Sequence, residues 1–138
     1  MSLTQLWYTE DHSDNIRFSL KVKECLYRGE SLFQAVEVYQ TEDFGRLLVL
    51  DGLVMTTERD EFVYHEMISH VPLLTHPNPK RVLVIGGGDG GTIREIAKHP
   101  GIEEIILCEI DEKVVDVSRQ FLPGISCALN GTDPRIKV

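Results

Sequence analysis

Residues 85–91 read Ile-Gly-Gly-Gly-Asp-Gly-Gly and set Gly86, Gly88 and Gly91 at the G-x-G-x-x-G spacing of a turn that cradles phosphates. The apolar run Arg81–Ile85 precedes the turn and a helical pattern follows it, the context a nucleotide-binding element needs. Glu109 closes the next apolar run, 18 residues after Gly91, where an acid accepts hydrogen bonds from the ribose hydroxyls. Asp89 sets this turn apart, because it puts a carboxylate in a loop suited to anions.

That carboxylate discriminates between ligand classes. A dinucleotide rests its pyrophosphate against the helix N-terminus, beside Asp89. At an effective dielectric of 20, like charges about 4 Å apart repel by about 4 kcal/mol. An adenosyl ligand with a sulfonium or ammonium at its far end meets no such penalty, and a charge-assisted hydrogen bond contributes roughly 1.5–3 kcal/mol. The bland alternative for Asp89 is a turn residue bonded to its own backbone. Glu109 in the ribose position favours the adenosyl reading.

The elements that must position these groups follow from periodicity. Residues 1–56 read as β, with strands at Asn15–Val22, Ser31–Gln40, Arg46–Leu50 and Leu53–Thr57. In the first of these, Ile16, Phe18, Leu20 and Val22 share one face. Thr57 is the expected N-cap of a helix whose stripe is Tyr64, Met67, Ile68 and Val71, with Pro72 allowing little further helix. A connector, His76–Lys80, holds the expected domain boundary. Beyond it come a buried strand at Arg81–Ile85, a helix at Thr92–His99, and a strand at Glu103–Ile110. Asp111 is expected to cap a helix over Glu112–Leu122, and Arg135–Val138 looks like a third strand beginning. The fold class is therefore α/β: a small N-terminal antiparallel β-hairpin domain (1–56), a helix and connector (57–79), and a truncated Rossmann-like, class I methyltransferase-like parallel domain (80–138). Two βα units and a strand stub leave the sheet edge open, so the chain is expected to be a fragment or one half of a larger protein.

Composition narrows the classes. Net charge is −8, with no run of Lys and Arg, which argues against a nucleic-acid partner. No stretch approaches the ~18 apolar residues of a membrane helix, and the acidic start does not fit a secretion signal, so a cytoplasmic location is expected. Cys25, Cys108 and Cys127 form no C-x-x-C pair, so neither a disulfide framework nor a metal site is expected. Cys108, inside an apolar run, reads as a small buried side chain.

The blocks "GGGDGG", "ERDEF-YHE" and "EID", with "SLFQAVEVYQTEDFGRLLVLDG" before them and "CEIDEKVVDVSRQFLP" among them, resemble the polyamine aminopropyltransferase (spermidine synthase) family, matching its N-terminal half. The resemblance implies aminopropyl transfer from decarboxylated S-adenosylmethionine, a co-substrate rather than a cofactor, to putrescine, giving spermidine and methylthioadenosine. By the same resemblance Gln34 contacts the adenosyl substrate, Tyr64 and His65 face the polyamine, Asp89 binds the amino group of the aminopropyl arm, and Glu109 binds the ribose. Gly86, Gly87 and Gly88 form the adenosyl-binding turn. From residue physics alone, Gln34 is an ordinary strand residue, Tyr64 a core residue, and His65 a surface partner of Glu61 one turn away. The resemblance further implies a homo-oligomer, dimer or tetramer, built through the N-terminal region. Two departures stand out. Met55 occupies a position where several relatives have Gln. The family's catalytic acid, in a D-[ST]-x-D-P motif, is absent, so no residue here is assigned as catalytic and the chain alone is expected to be inactive. A methyltransferase and a non-catalytic oligomerisation module are the alternatives.

Overall fold

The computed structural model describes residues 4–138; residues 1–3, which open the expected β-domain, lie outside the described residues. The chain divides into a unit ending at Arg59 and a second unit beginning at Asp60.

The first unit is one antiparallel sheet in the order β1-β2-β3-β4-β5. Its strands are β1 Leu6–Ser13, β2 Ile16–Glu30, β3 Ala35–Thr41, β4 Arg46–Leu50 and β5 Leu53–Thr57. Strand β1 is not among the four expected from sequence, because Glu10, Asp11 and His12 mask its apolar positions. Strand β3 starts later than expected: Ser31 Oγ accepts from the N–H groups of Phe33 and Gln34 and holds 31–34 in a turn. Leu20, Val22, Tyr39, Leu47 and Val49 form the core. Ile16 and Phe18, expected on the same inward face as Leu20, are exposed, because they sit at the far end of the β1–β2 hairpin, beyond the reach of β3.

The second unit carries a parallel sheet in the order β6-β7-β8: Arg81–Ile85, Glu104–Cys108 and Ile136–Lys137. The strand foreseen at the end of the chain is thus formed. Three helices accompany the sheet: α1 Glu61–Thr75, α2 Gly91–Ala97 and α3 Glu112–Phe121. The core gathers Leu73, Ile93, Ile96, Ile105, Leu107 and Val115. Asp111 caps α3 as expected, accepting from the Lys113 N–H at 3.0 Å, an interaction typically contributing about 1 kcal/mol.

Helix α1 departs from its apolar pattern. Tyr64, Met67, Ile68 and Val71 are exposed, and the buried residues are His65, Ser69 and Leu73, spaced by four. The inward stripe is polar because the facing elements supply partners: Ser69 Oγ donates to the Thr92 carbonyl, and the charged groups around His65 are described below. Thr57 is not the cap; it ends β5, and Asp60 occupies the N-cap position. Helix α1 continues three residues past Pro72, since a proline near the last turn disrupts little of the ladder behind it. Strand β6, read as covered on both faces, exposes Leu83 and Ile85 because it is the sheet edge; a groove of about 450 Å³ runs along it beside α1, lined by Ile68, Leu73, Leu83 and Ile85 among others. Cys108 is exposed rather than buried, since it is the last residue of β7.

Candidate functional site

The glycine turn is built by backbone constraints that its sequence satisfies. Gly86 and Gly87 adopt φ of 77° and 81°, and Gly90, the N-cap of α2, adopts 85°. A side chain on L-residues opposes such angles. Gly86 N–H donates to the Cys108 carbonyl and Gly90 N–H to the Gly87 carbonyl, each at 2.9 Å, fixing the loop between β6 and α2. Gly88 is needed for closeness instead: a Cβ there would meet Glu109 Oε2 and Val114 Cγ1 at 3.0 Å.

Glu109 follows β7 directly and spans the turn. Its Oε2 accepts from Gly88 N–H at 2.9 Å and its Oε1 from Asp111 N–H at 3.1 Å. A carboxylate has about four lone-pair sites, so these two bonds orient Glu109 and leave capacity for further donors such as a pair of hydroxyls.

Asp89 sits at the tip of the turn. Its Oδ1 accepts from Gly91 N–H at 2.7 Å and lies 3.2 Å from His65 Nε2. The bond to Gly91 is the local turn interaction of the bland reading. The contact with His65 joins residues from two different elements, which that reading does not require. His65 Nδ1 lies 2.5 Å from Glu61 Oε2. Arg94, on α2, donates from Nη2 to both oxygens of Glu61 at 2.9 and 2.8 Å, and from Nε to Glu95 Oε1 at 2.9 Å. Glu95 is 1% exposed and is also held by Lys98 Nζ at 2.5 Å and His70 Nε2 at 3.1 Å. Acid and base thus alternate from Asp89 through His65, Glu61 and Arg94 to Glu95.

The environment sets the charges. Burial works against a charged His65, but the hydrogen bonds to Asp89 and Glu61 outweigh it and hold its pKa above the ordinary 6.5. Burial likewise opposes ionised Asp89, yet His65, the Gly91 N–H and Arg94 together hold its pKa below the ordinary 3.8. Asp89 is therefore an anion at neutral pH.

Of the residues singled out from sequence, the second unit brings together His65, Asp89, Glu109 and the three glycines. Tyr64 is exposed on α1, its ring edge-on to His65 with centroids 5.6 Å apart, so it is not a core residue. His65 is not on the surface; its side chain is 3% exposed and bonded on both ring nitrogens. Gln34 belongs to the first unit, half-buried at the residue before β3, with its carbonyl accepting from Ser31 Oγ at 3.2 Å. Sequence reasoning missed Arg94 altogether. No local signal marked it: the spacing Glu61-His65-Ser69 reads as a solvated face, and its burial against Arg94 depends on the packing of α2. Among the described residues no cluster of His, Cys, Asp and Glu is arranged to hold a metal, and no helix is long and apolar enough to cross a membrane.

Comparison with known proteins bears on the same two units. Residues 61–138 match the spermine/spermidine synthase domain, and residues 6–58 match the spermidine synthase tetramerisation domain. A polyamine aminopropyltransferase of Thermoanaerobacter sp. (strain X514) is 56% identical over 134 residues, which is 97% of this chain and 48% of that protein. The polyamine aminopropyltransferase of Bacillus subtilis (strain 168) is 53% identical over 136 residues, 99% of this chain and 49% of that protein. Among solved structures, a spermidine synthase in complex with the transition-state analogue AdoDATO superposes with a TM-score of 0.91 at 47% identity, covering 96% of this chain and 45% of that one. The spermidine synthase from Thermotoga maritima gives the same score and identity, with 46% of its chain covered. The chain spans about half the length of the curated relatives it matches.

Proposed function

The chain belongs to the spermine/spermidine synthase family, and on that premise we propose that it supplies the adenosyl-binding part of an aminopropyltransferase. The co-substrate is decarboxylated S-adenosylmethionine, the acceptor putrescine, and the products spermidine and methylthioadenosine. A neutral amine attacks the carbon beside the sulfonium, and the carbon–sulfur bond breaks to release a neutral thioether. The attacking nitrogen then gives up a proton to a base. Such a reaction needs two cationic molecules held in line.

The observation that carries this reading is the ionised carboxylate of Asp89 at the tip of the glycine turn, fixed by Gly91 N–H and His65. A pyrophosphate would be repelled there, whereas an ammonium group gains a charge-assisted bond. Glu109 supports the adenosyl half of the assignment, since it is already oriented by the turn and has lone pairs left for the ribose. Gln34 is assigned to the adenosyl group and Tyr64 to the polyamine side. Because the 138 residues contain no D-[ST]-x-D-P motif, the principal base is assigned elsewhere and the chain alone is expected to be inactive. Assembly as a homo-oligomer through the β-sheet unit is part of the same reading; Leu6, Trp7, Ile16 and Phe18 on β1 and β2 are exposed and would be covered by it.

Isothermal titration of methylthioadenosine tests the proposal. The wild-type chain should bind weakly, and Glu109→Ala should lose the heat of binding. Identical heats from both proteins, or none from either, would count against the adenosyl assignment. Sedimentation of the same samples as a monomer would remove the assembly part of it.

A further inference from the structure

The hydrogen-bonding pattern around His65 points to its protonation and to its role. A neutral imidazole carries one N–H and one bare nitrogen. His65 faces a carboxylate oxygen on each side, Glu61 Oε2 at Nδ1 and Asp89 Oδ1 at Nε2. A bare nitrogen on either side would set two acceptors against each other at contact distance. Both carboxyls also accept from further donors, Glu61 from Arg94 and Asp89 from Gly91 N–H. Only an imidazolium satisfies both contacts. The charged groups facing it are Glu61 from its own helix and Asp89 from the glycine turn, and Arg94 on α2 is joined to it through Glu61.

The same geometry leaves no ring nitrogen for a ligand. The ring packs against α2, where a Cβ on Gly91 would fall 2.3 Å from His65 Cε1. A polyamine nitrogen reaching His65 would first have to displace a carboxylate. Asp89, in contrast, is held by Gly91 N–H and His65 through Oδ1 alone, and its side chain is 18% exposed. Its other oxygen is the one left to accept.

We propose that Glu61 and Arg94 are positioning residues: they hold His65 as an imidazolium whose Nε2–H fixes Asp89 by Oδ1, so that Oδ2 is presented to the incoming ammonium group. The part that concerns the ligand rests on the aminopropyltransferase reading.

Nitrogen NMR of the chain labelled with 15N-histidine tests this, with His65 assigned through its ring-to-backbone couplings. At pH 7 the wild type should show protons on both His65 nitrogens, with a titration midpoint above 6.5. Glu61→Gln keeps an acceptor at Nδ1 but removes the charge, and should lower the midpoint by about one pH unit. A singly protonated ring in the wild type at pH 7 would overturn the proposal, and that result needs no variant to fold. An unchanged midpoint in Glu61→Gln would overturn the part given to Glu61. Decarboxylated S-adenosylmethionine is then added to the wild type. A retained Nε2–H signal with a shifted Asp89 carboxyl resonance supports action through Asp89, and loss of the Nε2–H signal overturns it. No ligand-induced change, with the doubly protonated ring in place, would count against the function proposed for the site and uphold the positioning by Glu61 and Arg94.

Discussion

Arg94→Met is expected to lower the stability of the second unit by about 3 kcal/mol at pH 7. Arg94 binds both oxygens of Glu61 and one of Glu95, and the side chains of these acids are 10% and 1% exposed. Methionine fills a similar volume but leaves two largely buried carboxylates short of a cation. Removing one partner of a buried ion pair costs about 3–5 kcal/mol. The low end applies because Lys98 still reaches Glu95 and His65 still reaches Glu61. Against a total stability of roughly 5–15 kcal/mol, the loss is large. Trp7, the chain's one tryptophan, lies in the first unit, so urea unfolding of the second unit is best followed by circular dichroism. The deficit should depend on pH in a defined sense. Lys98 and Arg94 outweigh burial and hold the pKa of Glu95 below its ordinary 4.5. Its stabilising effect is therefore complete above pH 4.5 and fades as pH falls through the depressed value. Wild type and Arg94→Met should converge in acid. Equal midpoints at pH 7 would show that the network is held by something other than this guanidinium.

Gly91→Ala sets two effects against each other. Gly91 opens α2, and its φ is not positive, so alanine is conformationally acceptable and favoured by up to about 1 kcal/mol on helix propensity. The added methyl, however, would lie 2.3–2.6 Å from three atoms of the His65 ring. The ring cannot yield without breaking its bonds to Glu61 and Asp89. Overpacking costs about 1–3 kcal/mol, and displacing the imidazolium adds the penalty of two carboxylates losing their shared cation. The expected net loss is about 3 kcal/mol by urea unfolding, together with a His65 midpoint that falls. Gly101→Ala is the control: a Cβ there meets nothing within 4 Å, so its effect should stay within about 0.5 kcal/mol. Equal behaviour of the two variants would contradict the close packing of α1 on α2 at this point.

The sequence made the parallel unit legible because its signals are local. Arg81–Ile85, the glycine spacing, the Asp111 cap and the Ile136 strand each rest on neighbours in the chain, and all four stand in the structure. Helix α1 was misread because its periodicity points the wrong way. The apolar residues Tyr64, Met67, Ile68 and Val71 look like a core stripe, while the true inward stripe is polar and is stabilised by α2, some 30 residues later. Strand β1 was missed for a related reason, since its charged positions are tolerated on an edge strand. The site was half legible. Asp89 stood out because a carboxylate is unusual in a glycine turn, Glu109 because an acid after the second strand is the type a ribose calls for, and His65 entered through the family resemblance. Its burial between two acids depends on Arg94, which no local pattern distinguishes from an ordinary surface arginine.

The proposed function requires an anionic Asp89 that welcomes a cation where dinucleotide sites welcome phosphate. Calorimetric titration of decarboxylated S-adenosylmethionine and of NAD, each into the wild type and into Asp89→Asn, measures this directly. Loss of a charge-assisted bond of about 1.5–3 kcal/mol corresponds to an affinity for decarboxylated S-adenosylmethionine weaker by about tenfold or more in the variant, with no NAD binding to the wild type. Unchanged affinity in Asp89→Asn, or a wild-type chain that prefers NAD, would contradict it.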